Sequence, residues 1–102
     1  MPAATADVTV EILRFVDDDC FPSLVEAVLL DAYGRTWSFI DKAPIFAIGQ
    51  IDESDLPITG AVPCLILRDG TEGSKVISTA PGGVDSDGRQ EFEVPAESLL
   101  PR

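Results

Sequence analysis

The sequence predicts an all-β fold, a small single-domain barrel or roll of about six short antiparallel strands with at most one short helix. Three observations carry that expectation. Apolar residues recur with period two through several short segments. Glycine, proline and aspartate interrupt the chain about every ten residues. No stretch carries a helical stripe longer than about two turns, so no crossover helix is available to build a parallel sheet.

The elements follow in order. Val8, Val10 and Ile12 alternate with Thr9, Glu11 and Leu13, which predicts a first strand from Asp7 to Val16. Residues 1–6 precede it as a flexible tail of a domain that spans 1–102. Asp17-Asp18-Asp19 and then Phe21-Pro22-Ser23 make a loop. The second strand runs from Leu24 to Asp31, with Val25, Ala27 and Leu29 on one face and Val28 and Leu30 on the other.

Asp31-Ala32-Tyr33-Gly34-Arg35 is the clearest local signal. An aspartate opens the turn, and Gly34 can take the left-handed conformation that closes a type I turn with a bulge. The return strand, Thr36 to Lys42, sets Trp37 and Phe39 on one face and Thr36, Ser38 and Ile40 on the other. Ala43-Pro44 breaks it, and Ile45 to Ile48 is a short continuation. Gln50 to Pro57 is a polar loop with room for one helical turn.

The second half repeats the style. Ala61 to Arg68 is an apolar strand whose Pro63 indicates an edge or an early strand position. Asp69 to Ser74 turns the chain, Lys75 to Thr79 is a strand, and Pro81-Gly82-Gly83 ends it. Asp85-Ser86-Asp87-Gly88 is a hairpin-type turn before a last strand from Gln90 to Val94, and Pro95 to Leu100 is a terminal turn or helix. Leu29-Leu30 to Ala43-Pro44 echoes Ile66-Leu67 to Ala80-Pro81 in spacing, but two hairpins in any β domain can match this well.

Eighteen acidic residues stand against seven basic ones in 102, a net charge of −11. Phosphate backbones require a basic footprint. Here the basic residues (Arg14, Arg35, Lys42, Arg68, Lys75, Arg89 and Arg102) are dispersed along the chain, although folding could gather some of them. Nucleic acid and anionic membrane are therefore not expected as partners; a protein partner or self-association is. No apolar run approaches the length of a membrane span, and the first residues carry no secretory pattern. Cys20 and Cys64 could bridge, but two reduced thiols in a cytoplasmic protein are the simpler expectation.

The chain contains no histidine, so it lacks the commonest general base and zinc ligand. Two unpaired-spacing cysteines cannot complete a zinc site, and no phosphate loop, dinucleotide fingerprint or nucleophile elbow occurs. No enzyme, no cofactor and no metal are expected, a carboxylate-dependent enzyme being the minor alternative. Asp85-Ser86-Asp87-Gly88 has calcium-loop residue types, but its glycine follows the second aspartate directly and no glutamate falls at the required spacing. Asp17-Asp18-Asp19 is better read as a solvated loop than as a metal site. Tyr33 belongs at an exposed turn tip, with only Arg35 beside it as a basic neighbour.

The functional expectation is a non-enzymatic β-barrel acting through protein contacts, self-association included. The alternative is an acidic antagonist, either a toxin-neutralising immunity protein or a nucleic-acid mimic, whose negative charge occupies a basic site. For an antagonist the partner-facing candidates are the two most acidic loops, with Asp17, Asp18 and Asp19 in one and Asp52, Glu53 and Asp55 in the other, whereas the first reading expects mainly apolar contacts.

Phe15-Val16-Asp17-Asp18 and the run from Asp31 to Pro44 carry a resemblance. Over the first half of the chain the sequence resembles small uncharacterised bacterial proteins with a compact β-barrel, similar to the Sm-like or SH3-like barrels. An Sm domain shows an apolar-Arg-Gly signature in its second motif, whereas Leu67-Arg68-Asp69-Gly70 inserts an aspartate. The usual RNA contacts have no counterpart here. The resemblance implies an architecture and no activity.

Overall fold

The computed structural model describes residues 4–17, 19, 22–46 and 52–101. These form strands β1 (Ala4–Asp17), β2 (Leu24–Leu30), β3 (Thr36–Lys42), β4 (Ile58–Asp69), β5 (Ser74–Ser78), β6 (Glu91–Pro95) and β7 (Leu99–Pro101). Short 3₁₀ turns occupy Ala43–Phe46, Glu53–Asp55, Ala80–Gly82 and Ala96–Ser98, and the described residues contain no α-helix. The antiparallel order is β3-β2-β1-β4-β5-β6, with β7 added to β1, and the sheet curls into a half-barrel. The all-β expectation holds. Among the described residues no helix is long and apolar enough to cross a membrane.

β1 organises the sheet. Its period-two pattern buries Ala6, Val8, Val10 and Ile12 on one face. Its first part pairs with β4, from Ala4 opposite Ile66 to Ile12 opposite Ile58. Its later part pairs with β2, and β7 lies along Ala6 to Val8 on the same edge. Ala4 to Ala6 therefore belong to the sheet and not to the tail expected over residues 1–6, because each has a partner in β4 and Ala6 is buried. Between Ile12 and Arg14, and again between Phe15 and Asp17, the register with β2 slips. Leu13 faces solvent in phase with the alternation, but the bulges break it beyond Ile12, so Phe15 turns toward the core and Val16 faces solvent.

Other departures have local causes. Ala43-Pro44 opens a 3₁₀ turn, not a continued strand, because proline removes a ladder donor; Phe46 at its end is buried. Ala47 and Ile48 of the expected continuation lie outside the described residues. The anticipated helical turn of the polar loop is the 3₁₀ turn Glu53–Asp55. Residues 95–100 divide between a 3₁₀ turn and β7. β4 is an interior strand, yet its ladder with β5 begins only at Leu65, so Pro63 lies where β4 pairs with β1 alone. The echo between the two halves has a structural counterpart. Both Ala-Pro pairs, at 43–44 and 80–81, open 3₁₀ turns directly after a hairpin.

The Asp31–Arg35 turn forms as its residues dictate. Gly34 has φ +80° and its N–H donates to the Asp31 carbonyl at 3.3 Å, while the Asp31 N–H donates to the Arg35 carbonyl at 2.9 Å. This hairpin reaches the other edge of the sheet, where the Ala32 N–H donates to the Glu93 carbonyl of β6 at 2.8 Å. The edge strands β3 and β6 meet chiefly through aromatic rings. Phe39 and Phe92 pack edge-on with centroids 5.6 Å apart, and Trp37 lies 5.6 Å from Phe92 at a tilt of 58°. Phe39, Phe46 and Phe92 are the largest fully buried side chains, each stabilising the fold by about 1.5–3 kcal/mol through burial alone.

Candidate functional site

The two acidic loops come to one end of the sheet. Glu53 lines a shallow hollow of about 410 Å³ together with Leu13, Arg14, Phe15, Val16 and Leu56, at the end of β1 from which the Asp17–Asp19 loop departs. Two of the candidate carboxylates also hold their own loops. An Asp17 oxygen accepts the Asp19 N–H at 2.9 Å, and Asp55 Oδ2 accepts the Asp52 N–H at 2.8 Å. Asp18 lies outside the described residues. Arg14 is drawn sideways to Glu26 at 2.7 Å. The Glu26 carboxyl is held below its ordinary value by the Ser38 hydroxyl first and by Arg14 second. Leu13 and Val16, each 39% exposed, are left as apolar surface beside Glu53 and Arg14.

At the opposite end of β2 lies a cluster that sequence reasoning did not assemble. Asp31, only 7% exposed, accepts the Tyr33 N–H at 2.8 Å and the Arg35 N–H at 2.9 Å on Oδ1, and the Trp37 indole N–H at 2.9 Å on Oδ2. Burial pulls its pKa upward as the largest single influence. The hydrogen bonds from Trp37, Arg35 and Tyr33, with the charge of Arg35, together outweigh it and leave the carboxyl below its ordinary value.

Glu93 is ringed by donors on β6. Its Oε2 accepts the Ser74 hydroxyl at 2.5 Å, the Thr71 hydroxyl at 2.6 Å and the Thr71 N–H at 2.8 Å. Its Oε1 accepts the Tyr33 hydroxyl at 2.9 Å. These bonds, with Ser74 contributing most, lower its pKa from 4.5 to about 2. Neither carboxyl is suited to take and return a proton near neutral pH.

Beside this network opens a cleft of about 330 Å³. Arg35, Arg68 and Arg89 line it with Tyr33, Val76 and Phe92, as do Asp31, Glu91 and Glu93. The Arg89 guanidinium carbon sits 4.4 Å from the Trp37 ring centroid and 5.4 Å from that of Phe92, and its Nε donates to the Glu91 carbonyl at 2.8 Å. The chain's basic residues are dispersed in sequence, yet three of them converge here. One signal was available for two of them, since Arg35 and Arg68 lie within two residues of Gly34 and Gly70, in the β2–β3 and β4–β5 turns at the same end of the sheet.

The remaining candidates resolve simply. Asp85–Gly88 is a tight hairpin turn in which Asp87 and Gly88 both take positive φ, 52° and 85°. Ser86 and Arg89 exchange backbone hydrogen bonds across it at 2.9 and 3.0 Å. No group of three metal-ligating side chains gathers among the described residues. Cys64 is buried in the core, as its apolar neighbours in sequence imply, and Cys20 lies outside the described residues. Tyr33 is 60% exposed at its turn tip. No family model, curated protein or solved structure matches the chain.

Proposed function

We propose that this is a non-enzymatic binding domain that works through protein contacts at the far end of β1. The observation that carries the reading is the exposure of Leu13 and Val16 at a hollow they share with Phe15, Leu56, Arg14 and Glu53, next in sequence to Asp17 and Asp19. An apolar centre with a polar margin is the usual anatomy of a protein interface. The carboxyls of Asp31 and Glu93, held ionised by their donors, support a binding role over acid–base catalysis. Kinship with Sm-like or SH3-like barrels would add an architecture to this reading and no activity.

The neighbouring acidic residues also support the second reading, an acidic antagonist of a basic partner. Two copies of the same acidic surface repel when brought face to face, which favours a different protein over a symmetric pair at this surface. Kinetics on a partner crosslinked in the native host separate the readings. If apolar contact dominates, Leu13→Ser with Val16→Ser raises Kd by about tenfold or more, and association changes little with salt. If antagonism dominates, association slows steeply between about 50 and 500 mM salt, and replacing Asp17, Asp18 and Asp19 together with asparagine slows it as well. Kinetics indifferent to both sets of substitutions would remove this end of the sheet from consideration.

A further inference from the structure

We propose that the cleft beside the Asp31–Arg35 hairpin is a binding site for a singly charged carboxylate, a site separate from the far end of β1. The argument begins with charge. In a chain with 18 acidic residues, a guanidinium on the surface has many chances to find a carboxylate. Arg14 and Lys75 do so, with Glu26 and Asp69. Among the described residues Arg35, Arg68 and Arg89 have no carboxylate within ion-pair distance, although acids line the same cleft. The reason is visible in the hydrogen bonds. Both oxygens of Asp31 and both of Glu93 already accept hydroxyl, indole or backbone donors, and the third lining acid, Glu91, forms no ion pair with any of the three arginines. The forks that face the cleft are therefore left to an outside acceptor.

Pre-organisation and size point the same way. Arg89 is held over Trp37 and anchored through Nε, so its outer nitrogens are positioned before anything binds. Phe92 and Val76 give the cleft an apolar component against which a small hydrocarbon body can lie. Its volume of about 330 Å³ is at the lower end for small-ligand pockets. The lining holds three cationic and three acidic side chains, so its formal charge is zero. Such a site can gain from one carboxylate matched to a guanidinium fork, whereas a dianion or polyanion meets the lining acids and the −11 of the whole protein.

The single tryptophan, under Arg89, reports occupancy through its fluorescence. The probes are propionate, N-acetyl-trialanine with a free C-terminal carboxylate, the same peptide amidated, and inorganic phosphate. They are titrated into the full chain at about 20 mM ionic strength, where screening is weak. The expected result is saturation by the peptide acid or by propionate at up to about 10 mM, with no response to the amide. Whichever of the two saturates at lower concentration distinguishes a chain-end carboxylate from a free acid. Arg35→Gln and Arg68→Gln, both at exposed positions, each weaken binding about tenfold with the thermal midpoint unchanged, and Arg68→Lys restores part of the loss. The proposal is overturned by no saturable response, by an equal response to the amide, or by variants that bind as the parent does. Tighter binding of phosphate than of either carboxylate overturns the assigned class.

Discussion

The Tyr33 hydroxyl donates to Glu93 Oε1 at 2.9 Å across 60 positions of sequence, joining the tip of the first hairpin to the last long strand. Together with the Ala32 N–H on the Glu93 carbonyl, it ties the two free edges of the curled sheet to one residue. Glu93 receives donors from both sides of this junction, since Thr71 and Ser74 lie in the β4–β5 turn and at the start of β5.

Acid titration should expose that role. Ser74, Thr71 and Tyr33 hold the Glu93 pKa near 2, against 4.5 ordinarily, so the unfolded chain binds the proton more readily than the folded one. The contribution of Glu93 is fully present above pH of about 4.5 and is lost as pH falls toward 2. Asp31, also lowered, acts in the same sense. Urea denaturation between about pH 6 and 2.5 should therefore show stability falling with acid in the parent and falling less in Glu93→Gln. Parallel curves would mean that these hydrogen bonds do not persist in solution.

Gly34→Ala should cost about 1 kcal/mol, because φ +80° is unfavourable for a side chain although nothing lies within 4 Å of the added carbon. Gly34→Asn should cost less, asparagine tolerating the left-handed region better. Gly60→Ala should cost more than either through crowding, since its new carbon would fall 2.7 Å from the Phe46 carbonyl oxygen and 3.1 Å from Ile12. Denaturation midpoints rank the three; equal midpoints for Gly34→Ala and the parent would remove the strain argument. Gly49, a natural comparison by sequence, lies outside the described residues.

Phe92→Ala should destabilise by about 3–5 kcal/mol, since it removes the ring that touches both Trp37 and Phe39 where β6 meets β3. Phe92→Leu should cost about 1.5 kcal/mol by keeping most of the volume. Thermal unfolding of the pair checks this, and a small loss for the alanine variant would show that the edges do not depend on their aromatic contact.

RNA and DNA should not bind measurably at about 150 mM salt, despite the three arginines of the cleft. A carboxylate at one fork is compatible with a net charge of −11, whereas a phosphate chain crossing this surface is not. Fluorescence anisotropy with single- and double-stranded probes tests it. Micromolar binding that Arg68→Gln abolishes would reassign the cleft.

The turns and faces of the sheet were legible because they are decided by nearest neighbours. Gly34 and Asp31 specify their hairpin within five residues, and Val8, Val10 and Ile12 announce a buried face by spacing alone. The exposure of Leu13 followed from the alternation, but that of Val16 was not legible. It follows from bulges against β2, and a bulge is a property of two strands in register. β7 was hidden for a similar reason, as Leu99–Pro101 becomes a strand only because β1 offers an edge beside Ala6–Val8. The Arg35–Arg68–Arg89 convergence required the curl of the whole sheet.

The pairing of β1 sets the order in which this chain can acquire its structure. Ala6 to Val8 take one partner from residues 62–64 and the other from residues 99–101, so β1 precedes both of its partners here and is completed only when the later one arrives. Until β7 is available, the sheet leaves one edge of β1 open over those three residues, even when β2, β3 and β4 are in place. Closure of such distant loops is slow, and folding in milliseconds to seconds is expected, as for other β domains dominated by non-local pairing. During that interval Val8, fully buried at the end, is the apolar side chain on which a holding chaperone could act.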